Sequence, residues 1–203
     1  MLALPNILTI TRILLVPVFA LAFVLPGDTA RLVAFVVFAI AGASDALDGL
    51  AARKLNAGSE FGRMLDPIAD KILVAVALMM LVAEGSIRQF ALTQSVVSLL
   101  RLVPAPIILT REILVSGLRE FLAGAKVSVP VTAVAKFKTT IQMVAIGAMI
   151  LTPLADRFFP GVGAVSYTAF AYGLLWVAAA LTVYTGAVYF RAGLRHLHGW
   201  DAK

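Results

Sequence analysis

The sequence predicts an all-α polytopic membrane protein with six transmembrane helices, both termini in the cytoplasm and a polar cavity at the cytoplasmic side. Three observations predict this fold class. Of the 203 residues, 61% are hydrophobic and 14% are charged, whereas soluble domains are about half apolar and about a quarter charged. Long apolar runs alternate with short polar turns. The basic residues gather on the connections of one side.

Five of the predicted spans have clear limits. They cover residues 7–25, 32–52, 68–83, 137–151 and 165–190, and a spanning helix needs about 20 mostly apolar residues. The first run contains Arg12 and has no basic residue before it, so we interpret it as a retained helix rather than a cleaved signal peptide. No internal repeat or linker occurs, and we therefore expect a single domain over residues 1–203.

The fourth span has two possible windows. A window over residues 89–110 places Arg101 at the middle of the membrane, whereas a window over 102–118 sinks Arg111 and Glu112 into the helix bundle. A charge at the bilayer centre is costly unless it faces a polar cavity. The second window therefore requires such a cavity.

The distribution of basic residues predicts the orientation. Thirteen of the 17 lysines and arginines fall on the side of the two termini, and Arg31, Arg88, Arg101 and Arg157 fall on the other. Cytoplasmic loops carry the excess of Lys and Arg, so both termini and the cavity are expected to face the cytoplasm. The net charge of +6 then indicates anionic membrane lipids as partners and no nucleic acid.

The composition also limits the chemistry. The chain has no cysteine, which excludes disulfides, thiolate metal sites and cysteine nucleophiles. Its two histidines, His196 and His198, lie together in the polar C-terminal tail. That position argues against a histidine-based zinc site or catalytic triad.

Four aspartates lie where the second predicted span ends and the third begins. Asp45 and Asp48 fall within about 60° of each other on a helical wheel, and Asp66 and Asp70 share a face of the next helix. The connecting loop is short, so we expect antiparallel neighbouring helices with converging carboxylates. Such a cluster stays ionised only around cations, and oxygen ligands favour Mg²⁺, Mn²⁺ or Ca²⁺. The alternative is a set of helix caps and salt bridges to neighbouring bases.

Small residues accompany the acids on the same helix. They are Gly42, Ala43, Ala46, Gly49 and Ala52. Such a face allows a diphosphate or nucleotide to approach the backbone, and it equally allows close helix–helix packing. The residues alone leave both interpretations open.

The spacing of these residues is specific enough to compare with known families. It reads Asp45-x2-Asp48-Gly49-x2-Ala52-Arg53-x8-Gly62-x3-Asp66-x3-Asp70, and it resembles, position for position, the motif of the CDP-alcohol phosphatidyltransferases. Three further segments resemble the members that use glycerol 3-phosphate. These are Pro5-Asn6-x2-Thr9-x2-Arg12, Arg111-Glu112-Ile113-x2-Ser116-Gly117-Leu118-Arg119-Glu120 and Lys136-Phe137-Lys138-Thr139-Thr140-x-Gln142.

The resemblance implies a reaction in which CDP-diacylglycerol and sn-glycerol 3-phosphate give phosphatidylglycerol phosphate and CMP. It implies two divalent cations, Mg²⁺ or Mn²⁺, with Asp45, Asp48, Asp66 and Asp70 as ligands and Asp70 as the catalytic base. Two metal ions suit such a phosphoryl transfer because they neutralise the phosphoryl oxygens and the leaving group.

The resemblance also implies two substrate sites. Residues expected to line the CDP site are Asp48, Gly49, Ala52, Arg53, Gly62 and Asp66. Residues expected to hold the phosphate of the acceptor are Thr9, Arg12, Arg111, Arg119, Lys136 and Lys138. For the lysines and arginines the alternative is ordinary cytoplasmic charge. Arg111 is too deep in the chain's apolar pattern for that alternative.

Two other functions stay open at this point. A family member with another acceptor, such as inositol phosphate, serine or phosphatidylglycerol, would share the same motif. A divalent-cation transporter would also carry intramembrane acids, but it would not require Arg53 or a second basic cluster. The resemblance further implies a homodimer in the bacterial inner (cytoplasmic) membrane, with a multi-pass chain and an active site that faces the cytoplasm.

Overall fold

The computed structural model describes residues 4–55, 60–90, 100–124 and 133–198. No strand occurs in those ranges. The helices are α1 (Leu4–Val24), α2 (Asp28–Leu55), α3 (Glu60–Phe90), α4 (Pro104–Gly124), α5 (Ala133–Leu151), α6 (Ala155–Phe158) and α7 (Ala164–His198). A 3₁₀ turn at Thr152–Leu154 joins α5 to α6. The all-α fold class is therefore confirmed for the described chain.

Two segments of the described chain are long and apolar enough to cross a membrane. They are Phe137–Phe158 and Ala164–Leu194, and the apolar part of α1, Thr9–Val24, is shorter. Helices α2, α3 and α4 occupy the predicted positions, but the charged residues that they carry lower their hydropathy. These helices are consistent with a membrane protein, whereas the count of six spans and the cytoplasmic termini stay predictions.

Glycine conformation and an aspartate side chain define two of the connections. Gly27, between α1 and α2, has a φ of 102°, a value that residues with a Cβ rarely adopt. Asp28 follows in the first turn of α2, where a carboxylate interacts favourably with the helix dipole. Gly163, with a φ of 74°, precedes α7, and the first backbone amide of α7, that of Ala164, donates to Asp156 Oδ1 at 2.8 Å.

The described chain forms two compact units. The first comprises Met1–Glu84 and Ile146–Ala171, and the second comprises Gly85–Ala145 and Tyr172–Lys203. Aromatic rings hold α1 against α2 in the first unit, where the centroid of Phe19 lies 6.0 Å from that of Phe38. Both rings are almost fully buried, so the α1–α2 hairpin supplies the apolar core of this unit.

An ion pair fixes the direction of α3 relative to α2 in the first unit. Arg31, near the start of α2, donates to Glu84, near the end of α3. The guanidinium carbon also lies 4.0 Å from the centroid of the Phe23 ring of α1. Residues 56–59 alone connect α2 to α3, so the helix ends on the other side are close as well. The two helices are therefore antiparallel neighbours, as the short loop predicted.

Helices α4 and α7 of the second unit meet along faces with a seven-residue repeat. Ile108, Val115 and Leu122 of α4 are buried, and a Cβ built on Gly186 of α7 would lie 3.0 Å from Arg111 Cγ. A Cβ on Gly193 would lie 3.1 Å from Leu118 Cδ1. Positions on both helices advance together by seven residues, which is the spacing of packed helices with a heptad pattern. Helices α4 and α7 therefore run parallel.

Candidate active site

Part of the predicted site lies outside the described side chains. The side chains concerned are those of Asp45, Asp48, Gly49, Ala52, Arg53, Gly62, Asp66, Asp70 and Lys136. Their backbone is described, and it places the first five in α2, the next three in α3 and Lys136 in α5. The metal and CDP assignments therefore stay predictions.

The backbone nevertheless defines the level of the four aspartates along α2 and α3. Asp45 lies fourteen residues after Arg31, and Asp70 lies fourteen residues before Glu84. At a rise of 1.5 Å per residue, both positions are about 21 Å from the Arg31–Glu84 pair. By the same rise per residue, the backbone positions of Asp48 and Asp66 lie about 26 Å from the Arg31–Glu84 pair. The antiparallel hairpin thus brings all four backbone positions to the same end of the first unit.

Thr9 and Arg12 of α1 lie at that same end. Arg12 Nε donates to Ser44 Oγ at 3.3 Å, and Ser44 directly precedes Asp45 in α2. Ser44 Oγ in turn donates to the carbonyl of Ala41 at 2.8 Å. Thr9 is 0% exposed and Arg12 is 1% exposed. Arg12 is thus anchored beside the first aspartate, and its predicted contact with the acceptor phosphate stays a prediction.

A second polar cluster lies within the second unit. Glu112 of α4 accepts hydrogen bonds from Lys138 Nζ of α5 and, at 3.3 Å, from Arg111 Nη1. Arg111 Nη2 donates to Thr185 Oγ1 of α7 at 2.8 Å. The side chains of Arg111, Glu112 and Lys138 are 12%, 15% and 5% exposed. Two cations thus share the carboxylate of Glu112 in a shielded environment.

This cluster contains three functional candidates that the sequence analysis did not assign. Glu112 bridges two predicted phosphate-binding side chains, Thr185 accepts from one of them, and Gly186 leaves room for the stem of Arg111. A threonine and a glycine in an apolar helix are ordinary residues, so composition gave no indication of them. The two small residues Gly186 and Gly193, seven residues apart, are the sequence feature that could have indicated a close helix contact.

Three buried polar atoms of the second unit have no hydrogen-bond partner among the described residues. They are Arg111 Nε, Gln142 Oε1 and Thr182 Oγ1. Buried polar groups are costly unless they are hydrogen-bonded. Arg111 in particular keeps one N–H donor without a described partner, beyond the two nitrogens that Glu112 and Thr185 engage.

The environment of Arg111 also bears on the limits of the fourth span. Helix α4 begins at Pro104, close to the start of the 102–118 window, and that window required polar partners for Arg111 and Glu112. The cluster with Lys138 and Thr185 supplies them. The limits of the fourth span stay a prediction. Arg119, by contrast, is exposed.

The donor set of the α2–α3 hairpin fits hard divalent cations. Among the side chains that the structure describes, no group of three or more His, Asp or Glu residues could hold a metal ion. The side chains of the four aspartates fall outside that set, and four carboxylates carry up to eight oxygens between them. Oxygen donors of this kind suit Mg²⁺ or Mn²⁺.

Comparison with known proteins gives one family and a set of similar enzymes. A family model described as CDP-alcohol phosphatidyltransferase matches residues 2–184. A CDP-diacylglycerol–glycerol-3-phosphate 3-phosphatidyltransferase of Rickettsia felis is 42% identical over 93% of this chain and 94% of its own length. A protein with the same name from Pseudomonas fluorescens is 38% identical over 95% of this chain and 91% of its own length. Another from Salmonella typhimurium is 36% identical over 93% of this chain and 93% of its own length.

Proposed function

Because this chain belongs to the CDP-alcohol phosphatidyltransferase family, we propose that it transfers the phosphatidyl group of CDP-diacylglycerol to sn-glycerol 3-phosphate. The products are phosphatidylglycerol phosphate and CMP. The similar enzymes named for this reaction match more than nine-tenths of the chain. The structural observation that carries the proposal is the antiparallel α2–α3 hairpin, because the Arg31–Glu84 pair sets Asp45 and Asp70 at one level.

Members of this family generally use divalent metal ions. Asp45, Asp48, Asp66 and Asp70 would hold two of them, Mg²⁺ or Mn²⁺. Ions bound there would supply charge neutralisation for the phosphoryl oxygens and for the departing CMP. This role follows from the carboxylate donors of the hairpin and from the need of phosphoryl transfer for charge neutralisation.

The remaining residues bind and position the reactants. Asp70 takes the proton of the acceptor hydroxyl, whose oxygen forms a bond to the phosphorus of the phosphatidyl group. The bond between that phosphorus and the oxygen of CMP breaks, and CMP leaves as a phosphate monoester. On the CDP side, Gly49, Ala52 and Gly62 allow close approach to the backbone, and Arg53 donates to a phosphate.

The acceptor phosphate requires cationic donors. Arg111 and Lys138 are two shielded cations that both donate to Glu112. Cations of this kind suit a glycerol 3-phosphate dianion, and Arg111 Nε, which has no partner among the described residues, is the donor for one of its oxygens. Thr9, Arg12, Arg119 and Lys136 complete the proposed set.

The lipid substrate CDP-diacylglycerol implies that the reaction takes place at a membrane. We propose an integral, multi-pass protein of the bacterial inner membrane that works as a homodimer, with its active site on the cytoplasmic side. Residues 1–203 would act as one catalytic domain, since the family model includes residues of both compact units. The thirteen basic residues on the side of the termini support this orientation.

The test is an acceptor panel with purified protein. CDP-diacylglycerol, Mg²⁺ or Mn²⁺ and one alcohol at a time are supplied, and CMP release is followed. We expect glycerol 3-phosphate to support release above the level without acceptor. Release with inositol phosphate, serine or phosphatidylglycerol alone would assign a different acceptor. No release with any acceptor, together with cation flux in vesicles, would favour the transporter.

A further inference from the structure

Helix α7 carries two threonines within a buried face that is otherwise formed by leucine, alanine and tyrosine side chains. Leu175, Ala178, Thr182, Thr185 and Tyr189 are each buried to at least 95%, and they recur at alternating spacings of three and four residues. Within this buried face, Thr185 accepts a hydrogen bond from the cationic side chain of Arg111 in α4. The contact gives an apolar helix outside the α2–α3 motif a direct connection to the proposed acceptor site.

The Thr185 hydroxyl is placed to accept from Arg111 because its own proton is already used. Thr185 Oγ1 donates to the carbonyl of Leu181 at 2.8 Å, with the carbonyl of Thr182 at 3.2 Å. The hydroxyl oxygen therefore presents its lone pairs outward. Arg111 Nη2 donates to one of them at 2.8 Å, a normal length for a charge-assisted hydrogen bond.

Gly186 determines where the aliphatic stem of Arg111 runs. A Cβ at position 186 would lie 3.0 Å from Arg111 Cγ, 3.3 Å from Nε and 3.7 Å from Cδ. Non-bonded carbon atoms prefer separations of about 3.5–4.0 Å. An alanine would therefore push the stem by about half an ångström, and Nε is among the atoms displaced.

From these contacts we propose that the adjacent residues Thr185 and Gly186 of α7 position Arg111. By positioning Arg111, they also determine where the phosphate of the acceptor binds. Gly186 admits the stem against the α7 backbone, Thr185 holds Nη2, and Glu112 holds Nη1. The guanidinium plane is thereby fixed at two nitrogens, with Nε left for a phosphate oxygen. This inference rests on the proposed function of Arg111 in binding glycerol 3-phosphate.

The chain offers a matched control seven residues along the same helix. A Cβ at Gly193 would lie 3.1 Å from Cδ1 and 3.3 Å from Cδ2 of Leu118. The crowding is as tight as at Gly186, but it falls on the flexible end of an apolar side chain. Gly186→Ala and Gly193→Ala thus perturb the same α4–α7 contact, and only the first one moves Arg111.

The experiment measures steady-state constants of the full-length enzyme for both substrates. Gly186→Ala is expected to raise the KM for glycerol 3-phosphate about tenfold, because small displacements of a positioned group are costly. The KM for CDP-diacylglycerol should stay within about twofold of the parent value. Gly193→Ala should leave both constants within about twofold, with a thermal midpoint lowered as much as that of Gly186→Ala.

A second pair of variants keeps the test independent of helix packing. Thr185→Val removes the hydroxyl that accepts from Arg111 at nearly constant volume and should raise the KM for glycerol 3-phosphate. Thr185→Ser keeps the hydroxyl and should have the KM of the parent enzyme. Equal KM changes for both substrates, or no difference between Gly186→Ala and Gly193→Ala, would overturn the inference. A parent enzyme that releases CMP only with another acceptor would instead overturn the proposed function.

Discussion

The most informative stability prediction concerns the ion pair that sets the register of α2 and α3. Glu84→Ala removes the carboxylate partner of Arg31, whose side chain is 10% exposed and whose Nη1 already has no described partner. Among the described residues, the guanidinium then keeps its contact with the Phe23 ring, at 4.0 Å. A buried charge without its counter-ion is strongly destabilising.

The size of the stability loss in Glu84→Ala follows from how deeply the ion pair is buried. Breaking a fully buried pair costs about 3–5 kcal/mol, and Glu84 is 28% exposed, so solvent reduces the cost to about 2 kcal/mol. For a chain of this length that corresponds to a fall of about 4–8 °C in the thermal midpoint. The control is Asp28→Ala, which breaks the pair with Arg157. Those side chains are 59% and 69% exposed, so we expect a loss below about 1 kcal/mol.

The assay is thermal unfolding of the purified proteins in the same detergent, followed by circular dichroism. The double variant Arg31→Met/Glu84→Leu should recover most of the lost stability, because replacing a buried pair by apolar side chains is often neutral. The KM values of folded Glu84→Ala should match the parent, since the pair lies about 21 Å from Asp45. A midpoint no lower than that of Asp28→Ala would refute the reasoning.

Four further outcomes are expected. Asp70→Asn should abolish CMP release and leave CDP-diacylglycerol binding measurable by equilibrium titration; a variant with turnover would remove Asp70 as the base. Arg111→Lys should raise the KM for glycerol 3-phosphate about tenfold or more, since an ammonium lacks the planar fork that holds Glu112 and Thr185 and leaves a third nitrogen for the phosphate. An unchanged KM would contradict the assignment. Arg119→Ala should raise that KM more than the KM for the lipid nucleotide, and equal effects would point to a structural role. Gly27→Ala should lower the thermal midpoint by about 2–4 °C, because a residue with a Cβ is strained at a φ of 102°. Gly173→Ala in α7 is the control and should not lower the midpoint, since no atom lies within 4 Å of the added Cβ.

Helix positions were largely predictable from the apolar pattern. The 137–151 span and α5 end at the same residue, because Thr152 and Pro153 follow and a proline interrupts helical hydrogen bonding. The predicted spans at 32–52 and 68–83 are shorter than α2 and α3. Their helices continue into polar sequence at the motif, where hydropathy gives no signal.

The polar partners were less predictable, because they are set by tertiary contact. Arg111 was identified from its depth in the apolar pattern, but its partner Thr185 is 74 residues away. Arg31 was assigned only as loop charge on the outer side, and the structure pairs it with Glu84, 53 residues later. Sequence spacing constrains neighbours on one helix. It does not specify which residue of another helix completes a buried charge.

The central claim is most directly tested by following the acceptor into the lipid. Purified protein is given CDP-diacylglycerol, Mg²⁺ and glycerol 3-phosphate labelled in its glycerol carbon. We expect label in the chloroform-soluble fraction in equal amount to the CMP released, and neither product from Asp70→Asn. CMP release without labelled lipid would mean that water attacks the phosphorus, and this would contradict a phosphatidyl transfer to glycerol 3-phosphate.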